Sequence, residues 1–91
     1  MKFAKVDKNQ PEIVKALRKV GCIVKHVHTI KNLFDILVYY KGITYNVEIK
    51  QNKKSKLTKG ELECKNDLES VNVKYYVIYS IEDALEMINI K

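Results

Sequence analysis

Residues 34–50, FDILVYYKGITYNVEIK, have one register in which a β-hairpin sorts its faces cleanly. The turn residues are Lys41-Gly42, a pair suited to the two-residue loops that join antiparallel strands. With that turn, Tyr40 faces Ile43, Val38 faces Tyr45, Ile36 faces Val47 and Phe34 faces Ile49. Every member of that face is apolar or aromatic, and a slip by one residue would mix the faces. The opposite face then sets Asp35 against Glu48, with Lys50 two residues further along on the same side. Like charges opposed across a ladder destabilise it by up to about 1 kcal/mol, so the pairing asks for a compensating charge. Hard carboxylate oxygens suit Mg²⁺ or Mn²⁺.

The rest of the chain supplies the elements that would cover this hairpin. NQPEIVKALRKVG reads as a helix, with Pro11 in its first turn, Gly21 just past its end, and Ile13, Val14, Leu17 and Val20 as the buried stripe. CIVKHVHT is a first strand, and LFDILVYY and ITYNVEIK are the second and third. TKGELECKNDLESV is a second helix, in which Thr58 and Glu61 have the spacing of a capping box. KYYVIYS is a continuous apolar strand expected to be covered on both faces. SIEDALEMINI is a last helix capped by Ser80, with Ile81, Leu85 and Ile88 on one side. The expected order is αβββαβα: one α/β domain over residues 1–91, its helices packed on a mixed sheet.

At 91 residues the core is modest, since a chain this size buries roughly 60–65% of its unfolded surface, and pairing with a second copy would extend it. The 17 Lys and Arg against 11 Asp and Glu leave a charge of +6, which fits a polyanionic partner, nucleic acid before membrane. Much of the excess lies in KQNKKSKLTKG, residues 50–60, directly after the acid-bearing strand. Lys53, Lys54, Lys56 and Lys59 are candidate phosphate contacts, and Gln51 and Asn52 candidate hydrogen-bond donors. The two cysteines, Cys22 and Cys64, form no CxxC motif and read as reduced thiols. The N-terminus has no apolar leader and no apolar run nears 18 residues, so a cytoplasmic protein without a membrane span is expected.

The constellation of Asp35, Glu48 and Lys50 has a chemical use. Phosphodiester hydrolysis needs a positioned water, a Lewis acid on the phosphate and stabilisation of the charge that builds in the transition state. A cation on the two acids would supply the second and lower the pKa of a bound water. Lys50 could hold the water or neutralise the phosphorane.

An Asp on one strand followed by Glu-x-Lys on the next, after an αβ start, resembles the PD-(D/E)xK nuclease superfamily. LFDILVYYKGITYNVEIKQNKKSKLTKGE, with the leading helix and the closing YYVIYSIEDALEMI, is similar to the VRR-NUC domain, the virus-type replication-repair nuclease. The resemblance covers nearly the whole chain and implies a restriction-endonuclease-like fold. It makes Asp35 and Glu48 metal-binding acids, the carbonyl of Ile49 a backbone ligand and Lys50 the catalytic lysine. It also assigns Glu12 to the acidic position of the first helix and Glu61 to the polar position at the start of the second. The chain departs from the family pattern twice: Phe34 stands where proline is usual, and Glu61 where glutamine is usual. The implied protein is a prokaryotic or viral endonuclease acting in DNA repair with Mg²⁺ or Mn²⁺. It is a homodimer resembling Holliday-junction resolvases, cutting branched DNA and using no small-molecule cofactor.

Simpler readings stand beside these. Glu12 is also a first-turn acid favoured by the helix dipole, and Glu61 is explained by the capping box alone. His26 and His28 share a strand face, but no third ligand lies nearby in sequence, so solvent or DNA is a better partner than zinc. The six tyrosines sit mostly in apolar strands and read as core with a polar tip. A non-cleaving nucleic-acid-binding module on the same fold is the alternative function, and a purely structural interaction protein the third.

Overall fold

The computed structural model describes residues 7–89. The first residues of the stretch read for a leader, and Ile90 at the end of the last helical stretch, fall outside that range. The elements run α1 (Gln10–Lys19), β1 (Ile23–His26), β2 (Ile36–Tyr40), β3 (Ile43–Ile49), α2 (Lys59–Ser70), β4 (Tyr75–Ile78) and α3 (Ile81–Met87). This is the expected αβββαβα order. The four strands form one mixed sheet in the order β1-β2-β3-β4, with β1-β2 and β2-β3 antiparallel and β3-β4 parallel.

The hairpin register follows the sorting of its faces. Ile36 pairs with Val47, Val38 with Tyr45 and Tyr40 with Ile43. Lys41 (φ 48°) and Gly42 (φ 81°) both have positive φ, the signature of a type I′ turn, whose twist matches that of the strands it joins. The inward side of this ribbon meets α1 and α3. Ile13, Val14 and Leu17 of α1 and Ala84 of α3, with Ile88 at its C-terminal cap, close over Val24, Ile36, Val38, Tyr45, Val47, Ile49 and Ile78. Val20, Ile81 and Leu85 pack around the margin of that core.

Helix α2 contributes nothing to this core, and none of its residues is fully buried. It lies on the other side of the sheet, against β4 and over the side chains that alternate with the core set. Its start is the capping box read from sequence: the Thr58 hydroxyl accepts from Glu61 N–H at 3.2 Å, and the Glu61 carboxylate accepts from Thr58 N–H at 2.8 Å. Ser80 caps α3 by accepting from Asp83 N–H at 3.0 Å.

Two details differ from the sequence reading. Strand β4, expected to be covered on both faces, is an edge strand whose middle residues Tyr76 and Val77 are only half-buried. The β2-β3 ladder also stops at Ile36 instead of running on to Phe34. Asp35 N–H donates to the Val47 carbonyl at 3.0 Å, so Asp35 and Ile36 both lie opposite Val47. Two residues against one is a β-bulge, a device that bends a strand and re-aims its side chains. Beyond it the alternation shifts. Phe34 does not reach Ile49 but packs edge-on to Tyr75, ring centroids 6.2 Å apart. Tyr75 pairs with Asn46 and so shares the Glu48 side of the sheet.

Ile36 is fully buried where the bulge meets the core. Ile36→Ala should lower the unfolding free energy by about 2–5 kcal/mol, measured by denaturant titration, with the slope against denaturant unchanged.

Candidate active site

The bulge, the end of β3 and the start of α2 converge on one cluster. Past Ile36 the β3 strand has lost its β2 partner, yet it remains paired with β4 as far as Ile49, and Lys50 N–H donates to the Ile78 carbonyl at 3.0 Å. The Ile49 N–H therefore points toward the vacated β2 side. There it donates to Asp35 Oδ2 at 2.7 Å, a short charge-assisted bond. The N–H and C=O of one strand residue point to the same side, so the Ile49 carbonyl faces the Asp35 carboxyl as well.

Glu48 alternates away from the core and is buried beneath α2, its side chain 5% exposed. Its carboxyl lies within hydrogen-bonding reach of Asp35 on one side and Glu61 on the other. Lys50 follows on the same face. Its Nζ donates to Glu61 Oε1 at 2.7 Å and lies 3.7 Å from Glu48 Oε2. One Glu61 oxygen thus holds both the Lys50 ammonium and the Thr58 N–H, so the capping residue is also the lysine's anchor.

The electrostatics follow from burial and crowding. Burial, and then the neighbouring charges of Asp35 and Glu61, push the Glu48 carboxyl up to about 9. Asp35 is raised too, chiefly by burial, although the Ile49 N–H works against the rise. Glu61 is also partly buried, but its bonds from Lys50 and Thr58 outweigh that and hold it below the usual carboxylate range. Lys50 loses some favour for its charge through burial and regains more from Glu61 and Glu48, so its pKa is raised. Burial, then the charges of Glu48 and Glu61, also drives the Tyr75 hydroxyl upward; that hydroxyl is buried and finds no hydrogen-bond partner among the described residues.

This chemistry fits a divalent cation. Burial and mutual repulsion keep Glu48 protonated beside Asp35 even with the Lys50 ammonium 3.7 Å away, and a backbone carbonyl faces the same side. Mg²⁺ is commonly held by one or two carboxylates together with water and substrate phosphate, so the site need not be a closed cage. Among the described residues no three His, Cys, Asp or Glu side chains converge as a ready metal cage, since Glu61 is turned to Lys50. Asp35, Glu48 and Glu61 line a cleft of about 140 Å³, together with His28, Phe34 and Thr58.

The remaining sequence candidates divide. Gln51, Lys53, Lys54, Lys56 and Lys59 are exposed on the loop leaving Lys50 and on the first residue of α2. Within that loop Asn52 closes a tight turn, its Oδ1 accepting from Lys54 N–H at 2.9 Å. Glu12 is exposed on α1 and forms no hydrogen bond or ion pair with the cluster among the described residues. The N-terminal region instead contributes Asp7 and Asn9. Asp7 is half-buried, and its charge is felt by both Asp35 and Lys50. The Asn9 Nδ2 donates to the Lys50 carbonyl at 3.1 Å and to the Tyr79 carbonyl at 2.9 Å, pinning the start of α1 to the ends of β3 and β4. Sequence reasoning missed both. Asp7 signals itself only as an acid just ahead of a helix start, and the Asn9 partners lie 41 and 70 residues away.

An α/β domain of restriction-endonuclease-like architecture, with acids and a lysine at the open end of its hairpin, is what the fold and cluster define. A solved structure described as a VRR_NUC domain is similar to this chain with a TM-score of 0.71, covering 90% of this chain and 96% of that one at 17% identity. The fold is that of a VRR-NUC domain. No family model matches the sequence, and no curated protein does.

The raised Glu48 gives a pH dependence with a definite sign. The unfolded chain releases this proton near the ordinary value of 4.5, while the folded one keeps it to about 9. Without metal, stability from this group is therefore full below pH 4.5 and is lost as pH rises toward 9. A divalent cation must displace the proton, so its stabilising effect should grow with pH. Thermal unfolding with Mg²⁺ or Mn²⁺ against chelator should show a larger shift at pH 8.5 than at pH 6. Glu48→Gln should abolish that shift. It should also raise the metal-free Tm at high pH by roughly 4–8 °C, if the relieved charge is worth about 1 kcal/mol.

Proposed function

We propose that this protein is a Mg²⁺- or Mn²⁺-dependent endonuclease that hydrolyses phosphodiester bonds of branched DNA, as a homodimer. The observation that carries the reading is the position of Lys50. Its ammonium is held at the edge of a carboxylate pair, on the strand that leads straight into a loop of exposed lysines. The charge of +6 and the likeness in fold to a VRR-NUC domain support it.

In this reading Asp35, Glu48 and the Ile49 carbonyl would hold the cation, which when bound supplies Lewis-acid stabilisation of the phosphate and activates water. The chain's own groups do the rest. Asp35 fixes the end of β3 through the Ile49 N–H, and Asn9 holds the Lys50 carbonyl, so the lysine backbone is secured from two sides. Lys50 exchanges one of its carboxylate partners for a phosphate oxygen and stabilises the charge that builds there. Glu61 keeps the ammonium charged and aimed until the phosphate arrives. The exposed lysines of residues 53–59 guide the phosphate backbone across the mouth of the site. Two-fold pairing of copies would set two such sites against the two strands of a junction.

Lys50→Ala should reduce cleavage of a four-way junction with Mn²⁺ by about 10²–10³-fold while junction binding persists. Binding without product by the unaltered protein would leave the non-cleaving module as the function. Changing Lys53 and Lys54 together to Ala should weaken junction binding and lower the slope of log affinity against log salt by about 1–2, measured by fluorescence anisotropy. An unchanged slope would remove the loop from the interface.

A further inference from the structure

A second cleft, of about 490 Å³, opens between α1 and β1. Its size is that of a small-ligand site. Pro11 and Val14 give it apolar walls, the His26 and His28 rings flank it, and Lys15 brings an ammonium. Four buried side-chain polar atoms lack a partner among the described residues, and two belong to this cleft: Gln10 Oε1 and His28 Nδ1. Gln10 is 2% exposed, a buried carboxamide whose Nε2 finds only His26 Nδ1 at 3.5 Å, the limit of a hydrogen bond. Such orphaned groups cost free energy unless something bonds them, and they cluster where ligands bind. The two rings lie edge to face, centroids 5.7 Å apart, and burial, with Arg18 and His28 nearby, lowers the His26 pKa and so favours the neutral ring.

The cleft is not isolated. His28 lines both it and the cleft that holds Asp35, Glu48 and Glu61. The two clefts thus adjoin at the His28 ring.

We propose that this cleft is a subsite for one unpaired nucleobase that carries an exocyclic amine beside a ring-nitrogen acceptor, such as adenine, next to the phosphate that is cut. Its choice of ligand rests on the nuclease reading above. Adenine offers an amine donor beside a ring-nitrogen acceptor. These match a carboxamide oxygen without a donor and an imidazole nitrogen without a partner. The base stacks against imidazole and apolar walls, as unpaired bases do on aromatic side chains, and Lys15 meets a phosphate. Apolar lining alone would suit many ligands, but the cation and the continuity with the acid cluster select a nucleotide.

The test needs neither metal nor cleavage. The whole protein is titrated with adenosine monophosphate, inosine monophosphate and inorganic phosphate, with the His26 and His28 ring proton signals followed by NMR. Saturable shifts with the adenosine nucleotide, and at least fivefold weaker binding of the inosine nucleotide, are expected, because a keto oxygen there faces the Gln10 oxygen. Gln10→Leu, which keeps volume and removes the acceptor, should erase that preference. Equal binding of the two nucleotides, no ring shift, or shifts reproduced by phosphate alone would overturn the proposal, as would a folded Gln10→Leu protein that still discriminates. If that variant fails to fold, the comparison on the unaltered protein decides. A protein that discriminates but does not cut keeps this subsite and loses the nuclease reading; one that cuts without discriminating does the reverse.

Discussion

The end of the hairpin depends on a single substitution of partners: the Asp35 carboxylate takes the place of a backbone acceptor. Strand β3 outruns β2 by two residues, and Ile49 is buried, 1% exposed. Left alone, its N–H would be an unpaired buried donor, a deficit of about 1–3 kcal/mol. Asp35 closes that gap at 2.7 Å because the bulge turns its side chain along the vacated edge. The acid is thus held by the backbone it completes, and the same bond sets the Ile49 carbonyl beside it. Structural need and site chemistry rest on one side chain.

The second constraint is Glu61. Its carboxylate closes the capping box of α2 and anchors Lys50 with the same oxygen. The loop over residues 51–58 is thereby fastened at both ends to one point, while its lysines and Gln51 remain exposed. If the loop meets a polyanion, as proposed, that contact would act directly on the group that holds the lysine. Glutamine in this position could still cap the helix, but it would bring no charge to offset the ammonium. The glutamate belongs with a lysine that must be held in a partly buried place before any phosphate arrives.

How far the sequence reveals this depends on the range of the interaction. The hairpin register is legible because apolar residues alternate along both strands, burying Ile36, Val38, Tyr45 and Val47, and the Lys41-Gly42 turn permits only one pairing. The capping box is legible because its partners are three residues apart. The bulge is not: Phe34 is buried on either side of the sheet, against Ile49 or against Tyr75, so its apolar character cannot choose between them. Asn9 and Asp7 stay hidden because their partners come from the far ends of β3, β4 and the bulge. The place of Glu12 is hard to read for a related reason. A helix start places an acid well for the dipole, but the buried face of α1 runs through Gln10, Ile13, Val14 and Leu17, and Glu12 lies off it. The apolar run of β4 suggests cover on both faces, whereas the strand lies at the sheet edge and is shielded in part by Lys74 over the Tyr76 ring.

The charges of the cluster argue for what completes it. Asp35, Glu48 and Glu61 against Lys50 carry a net −2 when all are ionised, and burial makes that state so unfavourable that Glu48 retains a proton to about 9. A phosphate approaching the ionised cluster would meet repulsion at close range, whatever the +6 of the whole chain does at a distance. In the proposed reading, a divalent ion held by Asp35 and Glu48 would bring the cluster to neutrality, and the ammonium anchored by Glu61 would then face the phosphate. The lysines of residues 53–59 can then act as a guide toward the site rather than as a compensation for it. In that reading the long-range attraction and the local acids become compatible through the cation: the acids that repel one another without it would be the ones that hold it.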